Sequence, residues 1–194
     1  MSDRRIIGLT GGIATGKTTV ANYLSQCHHL PIFDADIYAR QAVEPGSPVL
    51  AEIAQRYGDD ILFPDGTLNR SRLGDIIFND ASQRRWLEAR IHPYVRDLFV
   101  TAIRQATSFP VVLVVPLLFE AGMTDLVTEI WVVSCPPEMQ LQRLIQRDNL
   151  TREAAQARID SQMPLREKCD RADVVLDNTV NLEALQRQID RELA

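Results

Sequence analysis

Residues Ile6 to Thr19 read I-I-G-L-T-G-G-I-A-T-G-K-T-T, an apolar strand that runs straight into G-x-x-x-x-G-K-T and then into the helix-forming V-A-N-Y-L. This order constrains the chain more than any other stretch, because a strand, a tight loop and a helix in succession place the loop at the carboxyl rim of a sheet. Gly11 and Gly16 let the backbone curl tightly enough to aim consecutive N–H groups at one anion. Lys17 can then reach the β- and γ-oxygens as a point charge, and Thr18 offers a hydroxyl to Mg²⁺. The helix opening there adds its unpaired N–H groups and partial positive charge. A glycine-rich turn that merely matches the spacing is the bland alternative, and the strand before and helix after argue against it. The stretch predicts a protein that grips a nucleoside triphosphate by its phosphates.

A chain of 194 residues is expected to form one domain with small insertions. At this size about 70% of the extended surface is buried, enough for one well-filled core. The formal net charge of -5 argues against a broad nucleic-acid footprint. Cys27, Cys135 and Cys169 form no C-x-x-C pair, so they are expected to be reduced thiols packed as small hydrophobes, with neither a disulfide framework nor a zinc site. The stretch from Arg5 to Thr10 is too short for a secretory leader. The longest apolar run, Val111 to Phe119, is broken by Pro116 and falls well short of the ~20 residues a membrane helix needs. A cytoplasmic protein, with no nucleic-acid or membrane partner, is expected.

Five short apolar runs alternate with helical patterns: Ile6 to Leu9, Leu30 to Phe33, Val111 to Val115, Ile130 to Ser134 and Val174 to Leu176. Runs apolar on successive residues suit strands covered on both faces, so an α/β fold with a five-stranded parallel sheet is expected. Ligands of such sheets gather at the strands' carboxyl ends, here Thr10, Asp34, Pro116, Cys135 and Asp177. The seventy or so residues between the second and third runs exceed a crossover helix and read as an inserted helical subdomain. Its turns are E-P-G-S-P at Glu44 and P-D-G-T at Pro64. Asn79-Asp80 predicts the start of a long helix ending near Gln105, kinked or divided at Pro93. Pro136-Pro137-Glu138 predicts another helix start, T-R-E at Thr151 a further one, and Leu182 to Leu193 a closing amphipathic helix.

Asp34 and Asp36, in F-D-A-D, follow the second strand on the rim that carries the phosphate loop. A carboxylate there can accept an acceptor hydroxyl's proton or orient its oxygen for in-line attack. Either aspartate could instead cap the helix that begins near Ile37. Arg143 and Arg147 share one helix face and could close over a triphosphate, although a solvated salt-bridged surface is the alternative, more so for Arg152 and Arg158. Arg70, Arg72, Arg84, Arg85, Arg90, Arg96 and Arg104 give the insertion a basic character that would draw an anionic substrate, or are ordinary solvent-facing charges. The third run ends V-V-P-L-L-F-E without the Asp that often closes a strand beside Mg²⁺. Metal binding is therefore expected to lean on Thr18, nucleotide oxygens and waters, with Asp34 or Glu120 in an outer role.

Together these stretches resemble the dephospho-coenzyme A kinase family nearly end to end. The likeness is carried by G-L-T-G-G-I-A-T-G-K-T at Gly8, D-A-D at Asp34, A-R-Q-A-V-E-P-G at Ala39, D-G-T-L at Asp65, H-P at His92, V-V-P-L-L-F-E at Val114, Q-L-Q-R-L-I-Q-R-D at Gln140 and A-D-V-V-L-D-N at Ala172. It implies a three-layer phosphate-loop kinase core over about 1–36, 107–137 and 172–194, a helical coenzyme A-binding insertion over about 37–106, and a helical lid over about 138–171. It also implies that ATP, with Mg²⁺, phosphorylates the ribose 3'-hydroxyl of dephospho-coenzyme A, in a monomer or weak homo-oligomer. Asp34 would be the base, with Lys17, Arg143 and Arg147 stabilising the transferring group. Gly11, Gly12, Ala14, Thr15, Gly16, Lys17, Thr18, Thr19 and Asn178 would bind ATP, while Thr10, Asp34, Asp36, Arg40 and His92 would bind the acceptor. One departure is Ala14-Thr15, where the family usually has Gly-Ser, so Ala14 is expected to keep a negative φ. A kinase of a nucleoside, nucleotide or small sugar acid is the nearest alternative. A nucleotide-gated switch is another, weakened by the lack of an N-K-x-D motif.

Overall fold

A computed structural model describes residues 4–194, so residues 1–3 of the expected core segment lie outside the described residues. The chain forms two compact units, one running up to Asp34 and resuming at Ala102, the other spanning Ala35–Thr101.

The first unit is built on five parallel strands: β1 (Ile6–Gly11), β2 (Ile32–Asp34), β3 (Val111–Val114), β4 (Glu129–Ser134) and β5 (Val174–Asp177). Their order is β2-β3-β1-β4-β5. All residues of β1 and β3 are buried, as strands covered on both faces require. Leu9 pairs with Val114 on one side and with Trp131 on the other, so β1 is hydrogen-bonded along both flanks. Helices α1 (Lys17–His28) and α9 (Leu182–Leu193) contribute Val20, Leu24, Leu185 and Ile189 to a core with Ile7, Val112, Trp131 and Leu176. The second strand starts two residues later than expected, for a local reason. His29 turns left-handed at φ 55 to end α1, and the N–H of Leu30 is spent on the Leu24 carbonyl at 3.1 Å, so pairing begins at Ile32.

In the second unit, α2 (Ala35–Gln41), α3 (Pro48–Tyr57), α4 (Arg70–Asn79) and most of α5 (Ala81–Gln105) enclose Ala42, Val43, Leu50, Ile53, Ile61, Leu73 and Leu87. The turn chemistry is as the sequence indicates. Ser47 accepts from the Val49 N–H and caps α3 with Pro48 at its first position, while Asp65 accepts from the Thr67 N–H at 2.9 Å. Asp80 accepts from the Ser82 N–H at 2.7 Å at the start of α5. Pro93 does not divide that helix, which runs unbroken through it.

Back in the first unit, α6 (Pro137–Asp148), α7 (Arg152–Asp160) and α8 (Leu165–Asp170) occupy the stretch between β4 and β5. Asn149 at φ 52 ends α6, and Thr151 caps α7 by accepting from the Ala154 N–H at 3.2 Å. Leu141, Leu144 and Ala155 form a small apolar cluster on which Ile13 and Ala14 of the phosphate loop pack. Among the described residues no helix is long and apolar enough to cross a membrane.

Candidate active site

Gly11 closes β1, and the loop turns twice into positive φ before α1, at Ala14 (φ 60) and Gly16 (φ 108). The expected negative φ at Ala14 is thus incorrect. The loop needs a left-handed residue there to bend its N–H groups toward a common centre, and the backbone takes that shape although an alanine costs ~1–2 kcal/mol in it. No side chain caps α1, and its first turn holds no acidic residue. Its start is therefore open to an anion. Lys17 lies over the loop, its Nζ 3.1 Å from the Gly11 carbonyl and 2.8 Å from that of Gly12. Thr15 is buried and donates to the Gly12 carbonyl at 2.9 Å, whereas Thr18 and Thr19 are exposed in the first turn of α1.

Asn178, directly after β5, holds the other shoulder of the loop. Its Nδ2 donates to the Thr15 carbonyl at 2.9 Å, and its own carbonyl accepts from Arg143 Nη2 at 3.2 Å. A side chain at Gly16 would collide with this Asn178 amide. Ala14, Gly16, Thr19, Arg143, Asn178, Val180, Asn181 and Leu182 line a cavity of about 410 Å³. That volume suits a small-molecule ligand, and the lining joins phosphate-loop backbone to exposed apolar side chains, Val180 and Leu182. Arg143 Nη1 is buried with no hydrogen-bond partner, a donor in want of an acceptor. Burial pushes the Cys135 thiol up against the pull of Arg143, so this cysteine is an inert neighbour. Cys27, by contrast, is exposed, so the expectation of three packed thiols fails there.

The two arginines of α6 differ. Arg143 lines the cavity; Arg147 is exposed, its Nε 2.8 Å from Asp148, a carboxylate that Arg158 also meets at 2.9 Å. The Arg147 hydrogen bond, with the charges of both arginines, holds Asp148 below the ordinary aspartate value. Arg152 pairs with Glu138 at 2.8 Å.

Asp34 ends β2 opposite Val114, which itself pairs with Leu9. It therefore stands two strand spacings, roughly 10 Å, from β1 along the same rim. Thr10 donates to the Pro116 carbonyl at 3.2 Å. Asp36, Arg40 and His92 belong to the other unit: Asp36 in the first turn of α2 and Arg40 in its last, both exposed, and His92 half-buried in α5. In that unit Arg72 pairs with Asp60 and Arg90 with Glu52, and Arg56 and Arg90 flank the Trp86 ring, so those arginines have structural partners.

Three further residues around the loop, Gln140, Gln162 and Lys168, escape a reading by sequence. Gln140 donates to the Ile13 carbonyl at 2.9 Å, and Gln162 accepts from the Ile13 N–H at 2.9 Å. Glu120 meets the fully buried Lys168 at 2.8 Å, and Lys168 also donates to the Pro116 carbonyl at 3.0 Å. Burial alone would raise the Glu120 carboxyl, but the Lys168 hydrogen bond and charge, with the N–H groups of Glu120 and Met163, outweigh it and hold the group low. Glu120, expected in an outer role toward the metal, has Lys168 and the Met163 N–H as its partners here. Gln140 lies three residues before Arg143 on the same helix face, a spacing that could have singled it out. Lys168 sits in L-R-E-K-C-D, which carries no sign of burial.

Thr18, at the mouth of the loop, fits a divalent ion held jointly with phosphate oxygens, and among the described residues no cluster of three or more His, Cys, Asp or Glu could hold one alone.

The dephospho-CoA kinase family model matches residues 5–184. A dephospho-CoA kinase of Trichormus variabilis is 65% identical over 187 residues, covering 96% of this chain and 95% of the relative. The crystal structure of a Thermus thermophilus protein superposes with a TM-score of 0.82 at 35% identity, covering 98% of this chain and 96% of that one. The dephospho-CoA kinase from Campylobacter jejuni gives a TM-score of 0.72 at 28% identity, over 97% and 94% of the two chains. Likeness of this extent, running through the loop, the sheet rim and the helices beside them, means that the chain belongs to the dephospho-CoA kinase family.

Proposed function

We propose that this protein transfers the γ-phosphoryl group of ATP to the ribose 3'-hydroxyl of dephospho-coenzyme A, giving coenzyme A and ADP. The observation that carries the reading is the twice-bent loop at the start of an uncapped helix, with Asp34 on the same sheet rim, in a chain that matches the family nearly end to end. In the transfer, the bond from the γ-phosphorus to the bridging oxygen breaks toward ADP as the 3'-oxygen bonds to phosphorus. Asp34 orients the acceptor hydroxyl and takes its proton. Lys17 and the loop N–H groups meet the charge on the phosphates. Arg143 brings its unsatisfied donor to the nucleotide, and Arg147 reaches the phosphates when it leaves Asp148.

Mg²⁺ held with the help of Thr18 would supply charge that offsets the phosphates' own. Thr10, Asp36, Arg40 and His92 contact the acceptor, with the insertion over about 37–106 taking its coenzyme A part and the stretch over about 138–171 acting as lid. Both substrates are small molecules, and the protein works on them in the cytoplasm as a monomer or weak homo-oligomer.

An ATP-consumption assay run in parallel with dephospho-coenzyme A, nucleosides, nucleotides and small sugar acids tests this reading. Turnover with dephospho-coenzyme A alone, giving a product phosphorylated at the 3'-position, supports it. Faster turnover with any of the other acceptors overturns it.

A further inference from the structure

The loop tip is held from both sides by groups that the phosphoryl-transfer scheme does not use. The carbonyl of Ile13 accepts from Gln140 on α6, and its N–H donates to Gln162, just beyond α7. The next N–H along, that of Met163, donates to Glu120 Oε1 at 3.0 Å. Glu120 pairs with Lys168, Lys168 donates to the Pro116 carbonyl, and Thr10 Oγ1 donates to that same carbonyl. Thr10 lies three residues before Ile13 in the chain. A closed circuit results, from the end of β1 through the loop to its tip, across to the turn after α7, into the half-buried ion pair and back to β1.

We propose that Gln162 and the Glu120–Lys168 pair are positioning residues for phosphoryl transfer, fixing the loop tip so that its left-handed turn at Ala14 stays aimed at the phosphates. The inference rests on the activity proposed above. An ion pair with one fully buried partner contributes little net stability, because desolvation of Lys168 offsets the attraction. Its value here is geometric: it spends its polar atoms on two backbone groups, the Pro116 carbonyl and the Met163 N–H, and Met163's neighbour Gln162 meets the Ile13 N–H. Gln162 ties back the Ile13 N–H on one side of Ala14, and Asn178 ties back the Thr15 carbonyl on the other. The nest between them is therefore set before any anion arrives, the condition under which fixed dipoles stabilise developing charge most.

Gln162→Met keeps the side chain's length and removes its acceptor, at a position that is only half-buried. Amide exchange on the nucleotide-free protein reads the loop directly. Residues 12–16 should lose protection in Gln162→Met and regain it in Gln162→Glu, whose carboxylate accepts the same N–H. Turnover should fall ~10-fold or more while the KM for ATP moves less than ~3-fold, because misplacement harms the transition state more than ground-state binding. Combined with Glu120→Gln, the loss in kcat should be less than the product of the single losses, since one circuit is broken twice. Parental loop protection with parental kcat in Gln162→Met, a change confined to KM, or fully multiplicative losses would each overturn the proposal. A parent protein that exchanges as described yet leaves dephospho-coenzyme A untouched would instead sink the activity reading alone.

Discussion

Ala14 carries the largest backbone cost identified in the phosphate loop, a left-handed turn in a residue with a Cβ. Replacing it by glycine removes ~1–2 kcal/mol of strain and returns ~0.4–1 kcal/mol of unfolded-chain entropy, so Ala14→Gly should stabilise the protein by about 0.5–1 kcal/mol. Calorimetry should show a melting point higher by ~1–4 °C at this chain length, and a lower one would mean that the turn is not strained. Asp34 makes a chemical prediction rather than a conformational one. Asp34→Asn keeps the shape but cannot take a proton, and turnover should fall ~10²–10⁴-fold with ATP affinity largely intact. Near-parental turnover in that variant would remove its assigned role. At this scale the loop was legible because its chemistry lies in backbone spacing, and glycines announce spacing. The sign of φ at Ala14 was not, since it follows from the loop's need to converge its N–H groups. Lys168 was illegible for a different reason: its burial comes from Glu120 and Pro116, which lie far away in sequence.

Elements depend on how they are ended. Helix α7 is nine residues long, with Ala155 as its buried residue, and a helix so short does not persist unaided. Its Thr151 cap supplies one of its few fixed points, and the solvent-screened Arg158–Asp148 and Arg152–Glu138 pairs add little. Thr151→Ala should cost about 1 kcal/mol locally. Amides of residues 152–160 should exchange faster while those of β1 and β3 hold, and equal slowing or quickening of both would show that α7 does not open by itself. Caps and turns at Ser47, Asp65, Asp80 and Thr151 were readable because each rests on a local side-chain bond. The start of β2 and the unbroken course of α5 through Pro93 were not. The first is set by how α1 ends, and the second by packing that outweighs one lost backbone bond.

For the whole molecule, the five apolar runs sufficed to indicate a parallel sheet, since strands covered on both faces advertise themselves. Its response to acid follows from Glu120. The folded carboxyl titrates below the ordinary value, so its contribution is complete above the unfolded glutamate range and is lost as pH falls through the lower folded value. In Glu120→Gln the melting point should fall less steeply than in the parent as pH drops below the unfolded glutamate range, from a lower neutral-pH start. Parallel slopes would show that the pair does not titrate as described. Strand order bears on heat in another way. The phosphate loop springs from β1, flanked on both sides, whereas Asn178 and Val180 follow β5, a margin strand whose residues are half in solvent. Warming should therefore loosen the Asn178 shoulder and the Val180 wall of the cavity before the β1 end of the loop gives way.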